Sequence, residues 1–397
     1  MSNPLLTSLF MTTTRFLNRD LAGHRFDPRL VRRLEQGLEE VDSLADAVVA
    51  SFGTTAEHSF RAVNAWLDGE TGVPNSLATM LEPIAELPDW LDWNAVEQGS
   101  TALWRNGILW IGLSFNCAAL AAGYQSGAGV KPLTFTGELN YRSRRRMQET
   151  GRWFLAATSP GALRRNGPGF RETVRVRFMH AGVRKRIFQS GEWDQQAWGM
   201  PINLTDTAYG VSGEFSTIPL AAMRDAGLHF TDRDLDDIQH MWRYIGYLLG
   251  VPDDMLPYNA ARAREIIAIK DLTDTPADAD SRQLVKALIE NGFDPATVLP
   301  KSMVDIGTGP LVATLYALTR RWAGEEVADS LGLPNTSLKH LPTLLRPAVR
   351  AGEVARRWGL RDDQRLARRT RESFRALLDD ARAPSTVAAE AVVRAAL

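Results

Sequence analysis

Apolar residues recur along most of this chain at intervals of three and four, with charged residues between them. That is the spacing of helices that bury one face. The stretch DPRLVRRLEQGLEEVDSLADAVVASF shows it first, and Asp27-Pro28 opens a helix that reads as continuous to residue 52. Thr55 caps a second helix through Trp66, and Asn75-Ser76 starts a third that ends at Pro88. Asn94 caps a helix that runs into a long apolar stretch, and residues 132–163 hold one or two more. After the break at Pro168-Gly169, a helix spans Arg171 to about Gly191. Asn203 or Thr205 caps the next, through Arg224. Thr231, with Asp232 and Asp234 in the first turn, starts another whose buried face is Trp242, Ile245, Leu248 and Leu249. Helices follow near Ala260–Asp271, Asp280–Asn291, Leu311–Leu331 and Gln364–Asp379, with an alanine-rich one after Pro384. No run alternates in β-branched residues, and no Gly-rich phosphate loop follows a strand. The pattern predicts an all-α fold.

One stretch departs from amphipathic spacing. Between Arg105 and Lys131 the chain carries no charge, close to the ~20 apolar residues of a membrane span. Asn106, Ser114, Asn116 and Gln125 dilute it and five glycines interrupt it, so a helix buried in a large core is the better reading. The start, MSNPLLTSLFMTTTRFLNRD, lacks a basic n-region and a cleavage site, which predicts a cytoplasmic protein with a loosely ordered segment over residues 1–26. Residues 27–397 then form a single all-helical domain.

Composition narrows the function. The 397 residues are 44% apolar and 23% charged, with a net charge of −1. That balance argues against a dedicated nucleic-acid binder, which draws its affinity from a basic excess. Cys117 is the only cysteine, so thiolate zinc and iron–sulfur sites within one chain are excluded. No HExxH and no GxSxG occurs.

The helix after Pro168 carries the candidate chemistry. His180 lies at its centre, with Thr173, Val176, Arg177, Val183, Arg184 and Ile187 at helical spacing on the same face. An imidazole among apolar residues, with an arginine one turn to either side, suits a haem: an axial nitrogen, contact for the macrocycle and cations for two carboxylates. A packed core histidine and a basic surface face satisfy the same spacing, and both readings stay open on the residues alone. His240, near Asp236 and Asp237, is a second-choice ligand.

Several further pieces, in order, resemble the catalytic domain shared by MpaB-type oxygenases and the rubber oxygenases called latex clearing proteins. They are R-M-Q-E-T (Arg146 to Thr150), V-R-F-M-H-A-G-V-R (Val176 to Arg184), W-D-x-x-A-W-G-M-P-I-N (Trp193 to Asn203), Phe215-Ser216 and W-R-Y-I-G-Y-L-L-G-V (Trp242 to Val251). D-W-L-D-W at Asp89–Trp93 and V-A-D-S-L-G-L-P at Val327–Pro334 extend the likeness, giving a core of about 89–334 with C-terminal helices over 335–397. The resemblance implies a globin-like helical core around one b-type haem. His180 becomes the proximal iron ligand, flanked by Arg177 and Arg184, with Arg146 and Thr150 on the distal side. Dioxygen and a hydrophobic, unsaturated substrate are the implied partners.

Two departures bear on the substrate. Glu149 stands where rubber-cleaving members carry lysine, and no acid lies between Glu97 and Glu138 where they carry a catalytic glutamate. Glu149 or Glu138 folding in is the expected substitute, and polyisoprene is a doubtful substrate. Two alternatives differ in class: a haem protein that only binds a diatomic ligand, and a haem-free protein whose arginines at 142–146 and 175–186 meet a membrane surface.

Overall fold

The computed structural model describes residues 13–51, 56–70, 74–135, 139–292 and 308–380, and every described element is a helix. The chain opens with α1 (Arg19–Arg25), α2 (Pro28–Gly37), α3 (Ser43–Ser51), α4 (Ala56–Asp68) and α5 (Asn75–Ala85). Then come α6 (Trp93–Trp104), α7 (Ile108–Ser114), α8 (Leu139–Ala157), α9 (Pro168–Ser190), α10 (Leu204–Tyr209), α11 (Ile218–Asp225) and α12 (Asp232–Leu248). The chain continues with α13 (Ala260–Thr273), α14 (Ala279–Ala287), α15 (Thr308–Ala323), α16 (Glu325–Ser330), α17 (Leu341–Ala355) and α18 (Asp363–Asp380). Thr55, and the stretch after Pro384, lie outside the described residues.

Local chemistry explains most of the boundaries. The Asp27 side chain accepts from Arg29 N–H at 2.9 Å with Pro28 at the first helical position, and Thr231 and Asp234 form a reciprocal capping box. The first long helix, however, is two. After Gly37, the Leu38 carbonyl accepts from Met200 N–H (2.8 Å) and the Glu40 carbonyl from Leu204 N–H (3.0 Å). A loop over 160 positions away claims these carbonyls, so the helix stops and restarts at Ser43 with Asp42 at the corner. The helix at 341–355, which the spacing does not flag, is α17.

The principal core lies where α12 runs along α6. Gly99 makes this possible, because an added Cβ would sit 2.3 Å from the Asp237 carbonyl oxygen. Trp104, Trp242, Tyr244, Phe170 and Phe178 are fully buried around the crossing. Each such side chain contributes roughly 1.5–3 kcal/mol by burial. A smaller apolar cluster joins Cys117 to Val285, Ile289, Leu315, Leu318, Leu331 and Leu333. Burial pushes the Cys117 thiol up to about 12, so it packs as a small hydrophobe.

Two expectations need correction or refinement. The N-terminal segment is not loose from Thr13 onward. The Arg15 guanidinium, 1% exposed, donates to both Asp206 oxygens (2.7 and 2.6 Å), to Asp274 (2.9 Å) and to the Trp198 carbonyl (3.2 Å). A buried cation needs such partners, and here they tie the chain start to two distant helices. The apolar stretch is also not one helix. Gly107 (φ 83°) separates α6 from α7, which widens into a π-helical turn at Phe115–Ala119. Among the described residues no single helix is long and apolar enough to cross a membrane.

Candidate active site

Pro168 starts α9 and Gly191, in the left-handed region (φ 72°), ends it. His180 sits midway, half-buried, and among the described residues nothing hydrogen-bonds to it. Burial, and then the Arg184 charge, push the imidazole down to about 4 against the opposing pull of Asp42. At neutral pH the ring is therefore uncharged and keeps a free nitrogen lone pair.

The two flanking arginines already have carboxylate partners. Arg177 makes a two-pronged pair with Asp42 (2.5 and 2.8 Å). Arg184 pairs with Asp46 at 2.7 Å and donates to the Ile202 carbonyl at 2.9 Å. Both guanidinium groups are buried, and taking them out of water requires a matching anion. The arginines bind the aspartates at the start of α3 and thereby fix how α9 lies.

Helix α8 runs antiparallel to α9 in a register set near their joined ends. Gly169 lies so close to α8 that a Cβ there would come within 2.6 Å of the Ala156 carbonyl oxygen. Three residues back along α8, Trp153 Nε1–H donates to Thr173 Oγ1 at 3.2 Å. Carried on in the same register, Arg146 falls level with His180 and Thr150 level with Val176. Arg146 and Thr150 are both half-buried. Glu149 does not join them: it is exposed and accepts from Arg145 at 2.8 Å, an i,i+4 pair on the outer side of α8. Glu138 lies outside the described residues.

A further acid is Glu214, which the spacing leaves unremarked and which lies against Gly123. It sits in a second π-helical turn, Gly210–Thr217, that widens the chain after α10. The Ser216 hydroxyl lies 2.6 Å from the Ser212 carbonyl and 2.9 Å from that of Val211, steadying the widened turn. Glu214 presses on Gly123, where a Cβ would meet Oε1 at 2.3 Å. Burial pushes its carboxyl up to about 7, Lys270 opposing and Asp206 adding, and among the described residues no hydrogen bond reaches it. Burial raises the pKa of Tyr124, next to Gly123, with the Arg146 charge opposing and that of Glu214 adding. The one available signal was that Glu214 is the sole acid between Asp206 and Asp225, within a run of small and apolar residues.

An aromatic wall closes the same region. Phe215 lies edge-on to Trp153 (centroids 5.1 Å apart) and stacks on Trp242 (5.4 Å), while Phe115 packs on Phe154 at 4.5 Å. Both π turns thus place a phenylalanine against α8, one turn from Thr150.

The profile of the catalytic domain of ER-bound oxygenase mpaB/B'/Rubber oxygenase matches residues 104–351, which include His180, Arg146, Thr150 and Glu214 but not Asp42 and Asp46. The chain belongs to this family. It is accordingly an oxygenase-type enzyme. Among its relatives is a rubber oxygenase of Streptomyces sp. (strain K30), 24% identical over 306 residues, which cover 74% of this chain and 70% of the relative. A solved structure of latex clearing protein in its closed state superposes with a TM-score of 0.59. That match is 21% identical and covers 86% of this chain and 91% of the other. At this identity the superposition establishes the helical fold alone.

For this MpaB/rubber oxygenase family member, the structure therefore places His180 on α9 and both Arg146 and Thr150, one turn apart, on the antiparallel α8. It gives Arg177 and Arg184 to aspartates, turns Glu149 outward and introduces Glu214.

Proposed function

We propose that this oxygenase carries a b-type haem on His180 and oxidises a hydrophobic, unsaturated small molecule with dioxygen. The observation that carries the reading is a half-buried, neutral imidazole that no hydrogen bond reaches among the described residues. Among the described residues no three histidine, cysteine, aspartate or glutamate side chains converge as a metal site. A single imidazole suits an iron whose equatorial ligands come from a macrocycle.

When bound, the haem supplies redox-active iron for dioxygen chemistry. The chain's own groups have separate tasks. Arg146 and Thr150 can donate hydrogen bonds on the distal side, toward negative charge that builds during reaction. Glu214, poised near neutrality, can accept a substrate proton and later return it. Trp153, Phe215 and Trp242 present apolar faces to the substrate and keep water away. Arg177 and Arg184, through Asp42 and Asp46, hold α9 so that the imidazole keeps its aim. The loss of Glu149 to solvent supports a substrate other than polyisoprene.

Expression with ample haem should give a protein with a Soret band that vanishes in His180→Ala, together with oxygen uptake on a panel of unsaturated lipids or terpenoids. A colourless, folded wild type overturns the haem assignment. A red protein that consumes no oxygen with any of them reduces the function to ligand binding.

A further inference from the structure

Helix α17 faces the wrong way for a core helix. Its polar side is the one tied to the body. Arg346 donates to the Asp225 carbonyl (2.8 and 2.6 Å), Glu353 accepts from His229 N–H (3.2 Å), and Arg356 pairs with Asp363 (3.0 Å). The opposite side carries Leu344, Pro347, Ala351 and Val354 at intervals of three and four, with Trp358 one turn further. This stripe points into solvent: Leu344 is 74% exposed, Trp358 78% and Leu360 73%. Isolated exposed apolar residues are ordinary, but a stripe aligned along nearly four helical turns and ending in a tryptophan marks a contact surface.

The charges beside the stripe identify what it contacts. Arg350, Arg357 and Arg361 are all exposed, and among the described residues none of them makes an ion pair or hydrogen bond. From Lys339 to Arg361 the only acid is Glu353, already paired with Arg356. A second copy docked on this face through a two-fold axis would bring like arginines together. An anionic lipid surface accepts both halves of the pattern, with aliphatic side chains and the indole at the acyl boundary and guanidinium groups among the headgroups. We infer that the α17 face, from Leu344 to Arg361, docks this protein peripherally onto anionic membranes. This inference stands apart from haem at His180.

The test is co-sedimentation of the full chain with vesicles of phosphatidylcholine alone or mixed with phosphatidylglycerol. Binding to the mixed vesicles should exceed that to the neutral ones and fall with salt. Leu344→Ser/Trp358→Ser should weaken it by about tenfold or more, and Arg350→Glu/Arg357→Glu should remove the preference for anionic lipid. Both double variants should keep the wild-type melting temperature, because the replaced side chains project into water. Three results overturn the inference. The wild type binds neither vesicle. The serine variant binds as well as wild type. Or the wild type is a dimer that this variant splits, which makes the face a contact between copies.

Discussion

His180 and His240 are both half-buried histidines on long helices, each with an arginine nearby, yet the structure uses them differently. His240 has a settled place: its Nε2 accepts from Asp92 N–H at 2.9 Å, and its ring meets Trp90 edge-on at 5.6 Å. That hydrogen bond fixes where the Trp93–Trp104 helix begins. His180 has no such bond, and the charges around it are spent on one another, Arg177 on Asp42 and Arg184 on Asp46. One imidazole spends its lone pair on the fold and the other keeps it. Burial lowers the proton affinity of both, so protonation does not separate them. What separates them is whether a donor already occupies the nitrogen.

The comparison breaks most sharply on the cofactor. His180→Ala should abolish the Soret band while leaving the circular dichroism unchanged, and His240→Ala should retain it. Loss of the band in both variants would erase the distinction. Next in size is Asp42→Asn. It leaves the buried Arg177 without its counter-charge and should cost about 3 kcal/mol in denaturant unfolding. A cost near zero would mean that the pair does not fix α9.

Glu214→Gln sharpens the distal side. It should lower turnover by about 100-fold and remove the limb of the pH profile that rises through neutrality. Its stability has the opposite sign. A carboxyl raised from 4.5 to about 7 holds its proton more tightly when folded, so wild-type stability falls as pH climbs through that interval. The glutamine variant should therefore be the more stable protein above pH 7 and match wild type below about 4.5. Equal stability at both pH values would show that the carboxyl is solvated rather than poised. The smallest effect is expected for His240→Ala, about 1 kcal/mol of stability from the lost hydrogen bond to Asp92.

Much of the fold was legible where its causes are local. Asp27, Asn203 and Thr231 all cap the helices that their positions suggest, since a cap satisfies backbone groups two or three residues away. The missed features have distant causes. The break after Gly37 depends on amides at Met200 and Leu204. The order at the chain start depends on Asp206 and Asp274, far along the sequence from Arg15. α17 was legible only as one of the C-terminal helices expected over 335–397, without bounds, because prolines flank and interrupt it and its apolar face is not buried.

By itself, the sequence determined an all-helical chain, the family to which it belongs and a histidine set between two arginines on one helical face. Periodicity, caps and ordered motifs are written in neighbouring residues, so they survive without a fold. Only the tertiary structure decided what those arginines hold, which acid turns inward and which apolar face turns outward. Arg177 meets an aspartate 135 positions away, Glu149 is drawn off by Arg145, and Glu214 arrives through a widened turn against Gly123. Charge pairing in a buried site goes to whichever partner the packing brings within reach, and helical spacing carries no record of that choice.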